Sequence, residues 1–243
     1  MLTSIGLVGK NRLAVFVCRS TPCLELTGEE HHMQATEALT LGTWRGYQRD
    51  TFPAGSWVYE DGTLHTVAGA HRIDLITRQQ YEHFELALEW RLARGGNSGI
   101  LYRVSEVMPH TWQSGPEMQL LDNDHHPDGQ TPETMAGALY GVLAPRVKVV
   151  RPPGVFQTAR LVVRHSRVEH WLNEELVLAY DLNSTTFATA VARSKFKDLS
   201  GFGRAACGHI ALQHHGDAVW FRQLRMRPLT DSEIGRRGRS TAD

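Results

Sequence analysis

Between residues 84 and 92 the chain alternates without a break: Phe84, Leu86, Leu88, Trp90 and Leu92 are apolar, while Glu85, Ala87, Glu89 and Arg91 fall between them. Successive side chains of an extended chain point to opposite faces, so a period of two builds a strand with one core face and one solvated face. The same residues wound as a helix would scatter their apolar side chains around the axis, which excludes an amphipathic helix here. Residues 95–103 and 116–122 alternate in the same way. Gly55, Asp61-Gly62, Gly69, Gly95-Gly96, Gly115-Pro116, Asp128-Gly129, Pro152-Pro153-Gly154, Gly201, Gly203 and Gly216-Asp217 punctuate the extended runs as turns. The pattern predicts an all-β protein, two antiparallel sheets packed as a jelly-roll sandwich. Leu86, Leu88, Trp90, Ile100, Met118, Leu120, Leu161, Val163, Ile210, Leu212 and Phe221 are expected in its core.

A chain of 243 residues with 41% hydrophobic content holds one such domain with a core large enough to need no staples. We expect it over 41–229, with a 1–40 extension of undecided order before it and a 230–243 disordered tail, rich in arginine, after it. Two hairpins are expected inside the domain. One runs as a single strand from Arg160 to Asn173 and turns at Asn173-Glu174-Glu175 into Leu176 to Tyr180, and the other turns at Gly216-Asp217 to join 209–215 to 218–226. The stretch 125–150 reads as a long loop across a sheet, a place where function concentrates.

Lys and Arg number 26 and balance 26 Asp and Glu, so no general pull toward nucleic acid or anionic membrane exists. No apolar run is long enough to span a membrane. The apolar residues 13–18 follow Lys10 and Arg12 but are short for an export signal and lack a small-residue cleavage site, which slightly favours a soluble, cytoplasmic chain over a periplasmic or secreted one; Met33 is an alternative start. Three cysteines, Cys18, Cys23 and Cys207, make no disulfide framework. Oligomeric state is not legible.

Strand parity supplies the candidate site. Glu117 and Gln119 share one face of their strand, Gln213 and His215 share one face of theirs, and Glu89 and Arg103 join them by the same rule. Asn97 follows across a turn. A sheet face bearing Glu, Gln, Arg and His presents directed donors and acceptors, and sugar hydroxyls are the first ligand class to consider.

Seven spaced segments carry a family resemblance: Phe84-Glu85-Leu86 to Glu89, Gly96-Asn97-Ser98-Gly99-Ile100 with Arg103, Glu117-Met118-Gln119 with Asp122, Gly137-Ala138-Leu139-Tyr140-Gly141, His170-Trp171-Leu172-Asn173, Ser194-Lys195-Phe196, and Gly208 to Gly216. In order and spacing they resemble the 3-keto-disaccharide hydrolase domain family over about 44–228. The resemblance implies a concanavalin-like jelly roll acting on 3-keto-glycosides in bacterial sugar catabolism. It also adds Asp122, Tyr140, His170 and Lys195 to the expected sugar contacts. The chain departs from the family pattern in its opening segment, at His214, which stands at an acidic position and touches the expected site, and at Asn173-Glu174, where Asn-Gly is usual and a different turn geometry is expected.

The implied chemistry is elimination. A ketone at C3 acidifies the C2 proton; a base removes it, and the enolate expels the C1 oxygen, after which either water adds to give net hydrolysis, as in a hydrolase, or the unsaturated sugar is released, as in a lyase. Glu117 is the first candidate base and His215 the second. Arg103 and Lys195 are candidates to stabilise the enolate oxygen. The competing interpretation is a noncatalytic carbohydrate-binding module on the same fold. A conventional glycosidase would need two carboxylates across the bond, and Glu89 with Glu117 is the pair available. Trp112 is expected either to stack on a sugar or to cover core, and Trp171 and Trp220 to pack.

The residues establish no cofactor, and a divalent metal ion is the one candidate. Residues 122–129 are rich in ligand atoms, but Pro127 stands where an EF-hand loop needs glycine, which excludes that calcium loop. The 13 histidines, with pairs at His125-His126 and His214-His215, leave room for a divalent ion at a His/carboxylate site.

Overall fold

In a computed structural model the described residues are 36–235. The apolar run 13–18, Cys18, Cys23, the His31-His32 pair, Met33 and the arginines near the C-terminus lie outside them. Among the described residues thirteen strands form two antiparallel sheets, as the alternation predicts. In chain order these are β1 (Glu37–Ala38), β2 (Trp44–Gly46), β3 (Trp57–Glu60), β4 (Thr63–Thr66), β5 (Leu75–Thr77), β6 (Phe84–Leu92), β7 (Asn97–Val104), β8 (Glu117–Leu121), β9 (Gln157–Arg164), β10 (Arg167–Leu172), β11 (Glu175–Asp181), β12 (His209–Leu212) and β13 (Val219–Pro228). The larger sheet runs β11-β10-β9-β6-β13-β4-β3, with β1 also on β13; the smaller runs β2-β5-β12-β7-β8. Every residue expected in the core is buried there. Strand β1 lies inside the expected extension, and a short helix α2 (Asp231–Ile234) lies inside the expected tail. Helix α1 (Thr185–Arg193), started by the Ser184 hydroxyl accepting from the Phe187 amide at 3.1 Å, has no counterpart in the sequence reading. No helix among the described residues is long and apolar enough to cross a membrane.

Three local expectations are corrected. Residues 209–226 are not a hairpin: β12 belongs to the smaller sheet and β13 to the larger, so the chain crosses between sheets at Gly216, whose φ is 115°. The run before Asn173 breaks at His165 into β9 and β10, which pair as a hairpin. The Asn173-Glu174 turn keeps the geometry usual for Asn-Gly, with φ of 47° and 70°. Asn173 accepts from the Thr158 amide at 3.2 Å and donates to the Val149 carbonyl at 2.6 Å, contacts that hold the turn without glycine. Trp171 and Trp220 do pack, on the outer face of the larger sheet under the guanidinium groups of Arg160 (3.9 Å) and Arg91 (4.1 Å).

Candidate functional site

The face of the smaller sheet turned away from the core has two halves. On one, Ile76, Leu101, Val104 and Ala211 are fully covered, with Tyr47 and Trp112 packed over them. The cover is the loop 105–114, held down by the paired Arg45–Glu106 hydrogen bonds (2.8 and 2.6 Å) and by the Tyr47 hydroxyl donating to the Met108 carbonyl (2.7 Å). Thr111 completes the clamp by donating to Asp74 at 2.5 Å.

The other half is polar. Gly99 of β7 pairs with Gln119 of β8, and its carbonyl accepts from the Gln213 amide at 3.0 Å. Gln119 and Gln213 therefore flank a residue with no side chain, and Glu117 leans across it. Both amide atoms of Gln119 and Oε1 of Gln213 are buried without a partner, an arrangement that a polyhydroxylated ligand or bound water would satisfy.

Glu117 is 6% exposed, and its carboxyl has no hydrogen bond or ion pair among the described residues. Burial and the nearby Asp74 carboxylate push it up to about 8, against the pull of Lys195; Asp128 adds to the rise. Among the described residues the Lys195 ammonium has no hydrogen bond or ion pair; it lies over rings, 4.3 Å from the centre of Tyr140, 5.1 Å from Phe196 and 5.5 Å from Trp112. Burial lowers its pKa, while Glu117 and Asp128 favour its charge. Tyr140 donates to Asp128 at 2.9 Å, and burial together with that bond raises its pKa. His215 stands at the lip, 3.6 Å from the Asp217 carboxylate and stacked edge-on with His126.

Asn97, Glu117, Gln119, Tyr140, Lys195, Gln213 and His215 thus gather on one side of the smaller sheet or its rim. Four other candidates do not join them. Glu89 is on the outer face of the opposite sheet, bonded to Arg222 at 2.6 Å, so Glu89 and Glu117 cannot flank one glycosidic bond. Arg103 is turned aside by a bulge: Tyr102 and Arg103 together span the position of Ile210 alone, Arg103 takes φ 55°, and its guanidinium donates to the His165 carbonyl instead of to Glu89 or Glu117. His170 lies between the sheets, its Nδ1 3.0 Å from the Gly137 carbonyl, and burial lowers its pKa to about 4, so it is a neutral core histidine. Asp122 spends its oxygens on the adjoining turns, accepting from the Gly95 amide (2.7 Å) and the Asp124 amide (3.3 Å) and facing His125 (2.9 Å). His214 also turns away from the polar half, edge-on to Trp57 in the core.

Asp74 is the principal residue that the sequence reading missed. It sits just before β5, too short a strand for parity to assign its face, and accepts from Thr111 and from the His214 amide (2.9 Å). Burial raises its pKa against those two bonds. Asp128 and His126 were visible only as a ligand-rich loop. Elsewhere, Glu82, His83 and His165 bring ligand atoms within 4.8 Å of one another. His83 Nδ1 accepts from the His165 amide (3.0 Å), which leaves the proton on the Nε2 that faces Glu82 (3.3 Å) and no free lone pair for a metal.

A family described as the 3-keto-alpha-glucoside-1,2-lyase-like domain matches residues 36–227. The chain is 31% identical over 255 residues to the 3-keto-disaccharide hydrolase of Bacteroides thetaiotaomicron, covering 90% of this chain and 88% of that protein. Among solved structures, a Parabacteroides distasonis protein provisionally named a glycosyl hydrolase superposes with a TM-score of 0.71 at 26% identity, over 77% of this chain and 89% of the other. A galectin-like protein of Bacillus subtilis follows at 0.50 and 12%, over 77% and 90%, a likeness of fold alone. With a family match that runs from before β1 into β13 and a relative aligned over nearly its whole length, the chain belongs to the 3-keto-alpha-glucoside-1,2-lyase-like family.

Proposed function

We propose that this protein is a carbohydrate hydrolase that cleaves the glycosidic bond of 3-keto-glycosides, with Glu117 as the base. The observation that carries the proposal is the buried, unpaired Glu117 carboxyl over Gly99, with an unpaired Lys195 ammonium in its field. The name of the Bacteroides relative supports the substrate class.

Glu117 takes the C2 proton, and the C–H electron pair moves into an enolate whose negative oxygen at C3 faces the Lys195 ammonium. When the ketone re-forms, the C1–O bond breaks with its electron pair on the leaving oxygen. That oxygen takes a proton from the now protonated Glu117, leaving a sugar unsaturated between C1 and C2. Water added across that double bond gives net hydrolysis. A carboxyl poised at about 8 is a stronger base than an ordinary one, and about a tenth of it is ionised at pH 7.

Incubation with a 3-keto-glucoside and its unoxidised parent, following release of the aglycone, tests the proposal. Only the ketosugar should be cleaved, and Glu117→Gln should lower turnover by about 10²- to 10⁴-fold while sugar binding persists. Normal turnover in that variant, with loss in His215→Ala, would move the base to His215. Binding of the ketosugar with no release at all would make the protein a binding module.

A further inference from the structure

The polar half of the site is walled on two sides. The clamped loop 105–114 closes the end beyond Leu101, and Lys195, Tyr140 and Trp112 rise together on another flank. Past Asn97 a cleft of about 310 Å³ opens between the turns at 69–72 and 215–217. Arg72, His126, His215 and Asp217 line it together with Gly95 and Gly216. Asn97 joins the two spaces: its amide donates to Asp217 at 3.2 Å and its side chain stands 3.4 Å from His126 Nε2. His126 Nδ1 accepts from the Asp128 amide at 3.1 Å, so neutral His126 keeps its hydrogen on Nε2, toward Asn97. The Arg72 guanidinium has no hydrogen bond or ion pair among the described residues and lies over Gly216, where a Cβ would come within 3.0 Å of its Nε.

We propose that this cleft is the subsite for the leaving group, and that it is built for a second sugar rather than an aryl aglycone. The proposal rests on the function proposed above and goes further by placing the departing half of the substrate. A ring held over Gly99 with its C2 near Glu117 has covered walls beside it, and the cleft is the adjoining open space. Its volume is at the small end of ligand sites, which suits one additional ring. Its chemistry is polar throughout: a guanidinium fork, two imidazoles and a carboxylate offer donors and acceptors for neighbouring hydroxyls, and no large apolar side chain lines it to receive a benzene ring.

The test compares wild type with Arg72→Leu on two substrates that share the ketosugar ring, a 3-keto-disaccharide and a 4-nitrophenyl 3-keto-glucoside. Arg72 is exposed, so the variant should fold, which thermal unfolding checks. Loss of a charged hydrogen bond to the second sugar should raise KM for the disaccharide and lower the ratio of its kcat/KM to that of the nitrophenyl substrate by about tenfold or more. Free glucose, the released half of the disaccharide, should inhibit wild type more strongly than the variant. An unchanged ratio with unchanged inhibition, while wild type cleaves both substrates, overturns the subsite alone. Failure of wild type to release either leaving group overturns the function on which the subsite rests, and the subsite with it.

Discussion

The carboxyl of Glu117 lies across the bare Cα of Gly99, one strand away: a Cβ at position 99 would stand 2.7 Å from both Cδ and Cγ of Glu117 and closer still to Oε1. The missing side chain is what allows the carboxyl to rest on the sheet between Gln119 and Gln213. Replacing Gly99 by Ala should therefore displace the carboxyl and leave the strand in place, because the group that must yield is the end of a flexible side chain. Aglycone release should fall by 10²-fold or more, as for loss of a positioned base, with little change in melting temperature. A Gly99→Ala protein with normal kinetics would show that the carboxyl works from another position.

The rate should follow the ionisation of Glu117. Below its pKa of about 8, kcat/KM should rise about tenfold per pH unit and then level. Asp74 and Asp128 raise that pKa and Lys195 lowers it, so Asp74→Asn should move the rising limb to lower pH, whereas a purely structural role for Asp74 would leave the limb where it is. The pH profile of kcat/KM in the two proteins decides the matter.

His170 should make the fold sensitive to acid. Its folded pKa of about 4 lies below the ordinary value of 6.5, so between those values the unfolded chain holds a proton that the native protein does not. This contribution to stability is present above pH 6.5 and is lost as pH falls toward 4, by about 3 kcal/mol at about 1.4 per pKa unit. Unfolding of wild type and His170→Gln, compared across that window, should show the steeper loss in wild type; parallel curves would refute the assignment.

Arg103 and Glu89 provide the opposite test. Arg103 ties the bulge in β7 to the turn between β9 and β10, so Arg103→Leu should lower the melting temperature and leave KM for the ketosugar unchanged. Glu89→Gln breaks only an ion pair on the far sheet and should leave the kinetics at wild-type values. A large rise in KM in either variant would return that residue to the site.

Within single strands, alternation alone told which side chains face the core: β6 and β12 follow it residue by residue, and in β8 Met118 and Leu120 do, while Leu121 also joins the core cluster. It also paired Glu117 with Gln119, because two residues apart in one strand share a face whatever the strand's neighbours are. The same rule failed at Arg103, where one extra residue in the bulge reversed the parity, and it could not show that Glu89 and Glu117 stand on different sheets. Asp74 escaped notice because its importance lies in its partners, Thr111 and the His214 amide, which are distant in the chain.

The sequence by itself determined the all-β class, the core faces of the strands and the polar set around Gly99, because side-chain alternation is a property of a few successive residues. Only the tertiary structure decided which strands share a sheet, that the chain crosses from β12 to β13 at Gly216, and that Asp74 and Lys195 come to bear on Glu117. Those relations depend on pairing between segments far apart in the chain, and local patterning carries no information about which distant partner a strand edge will find.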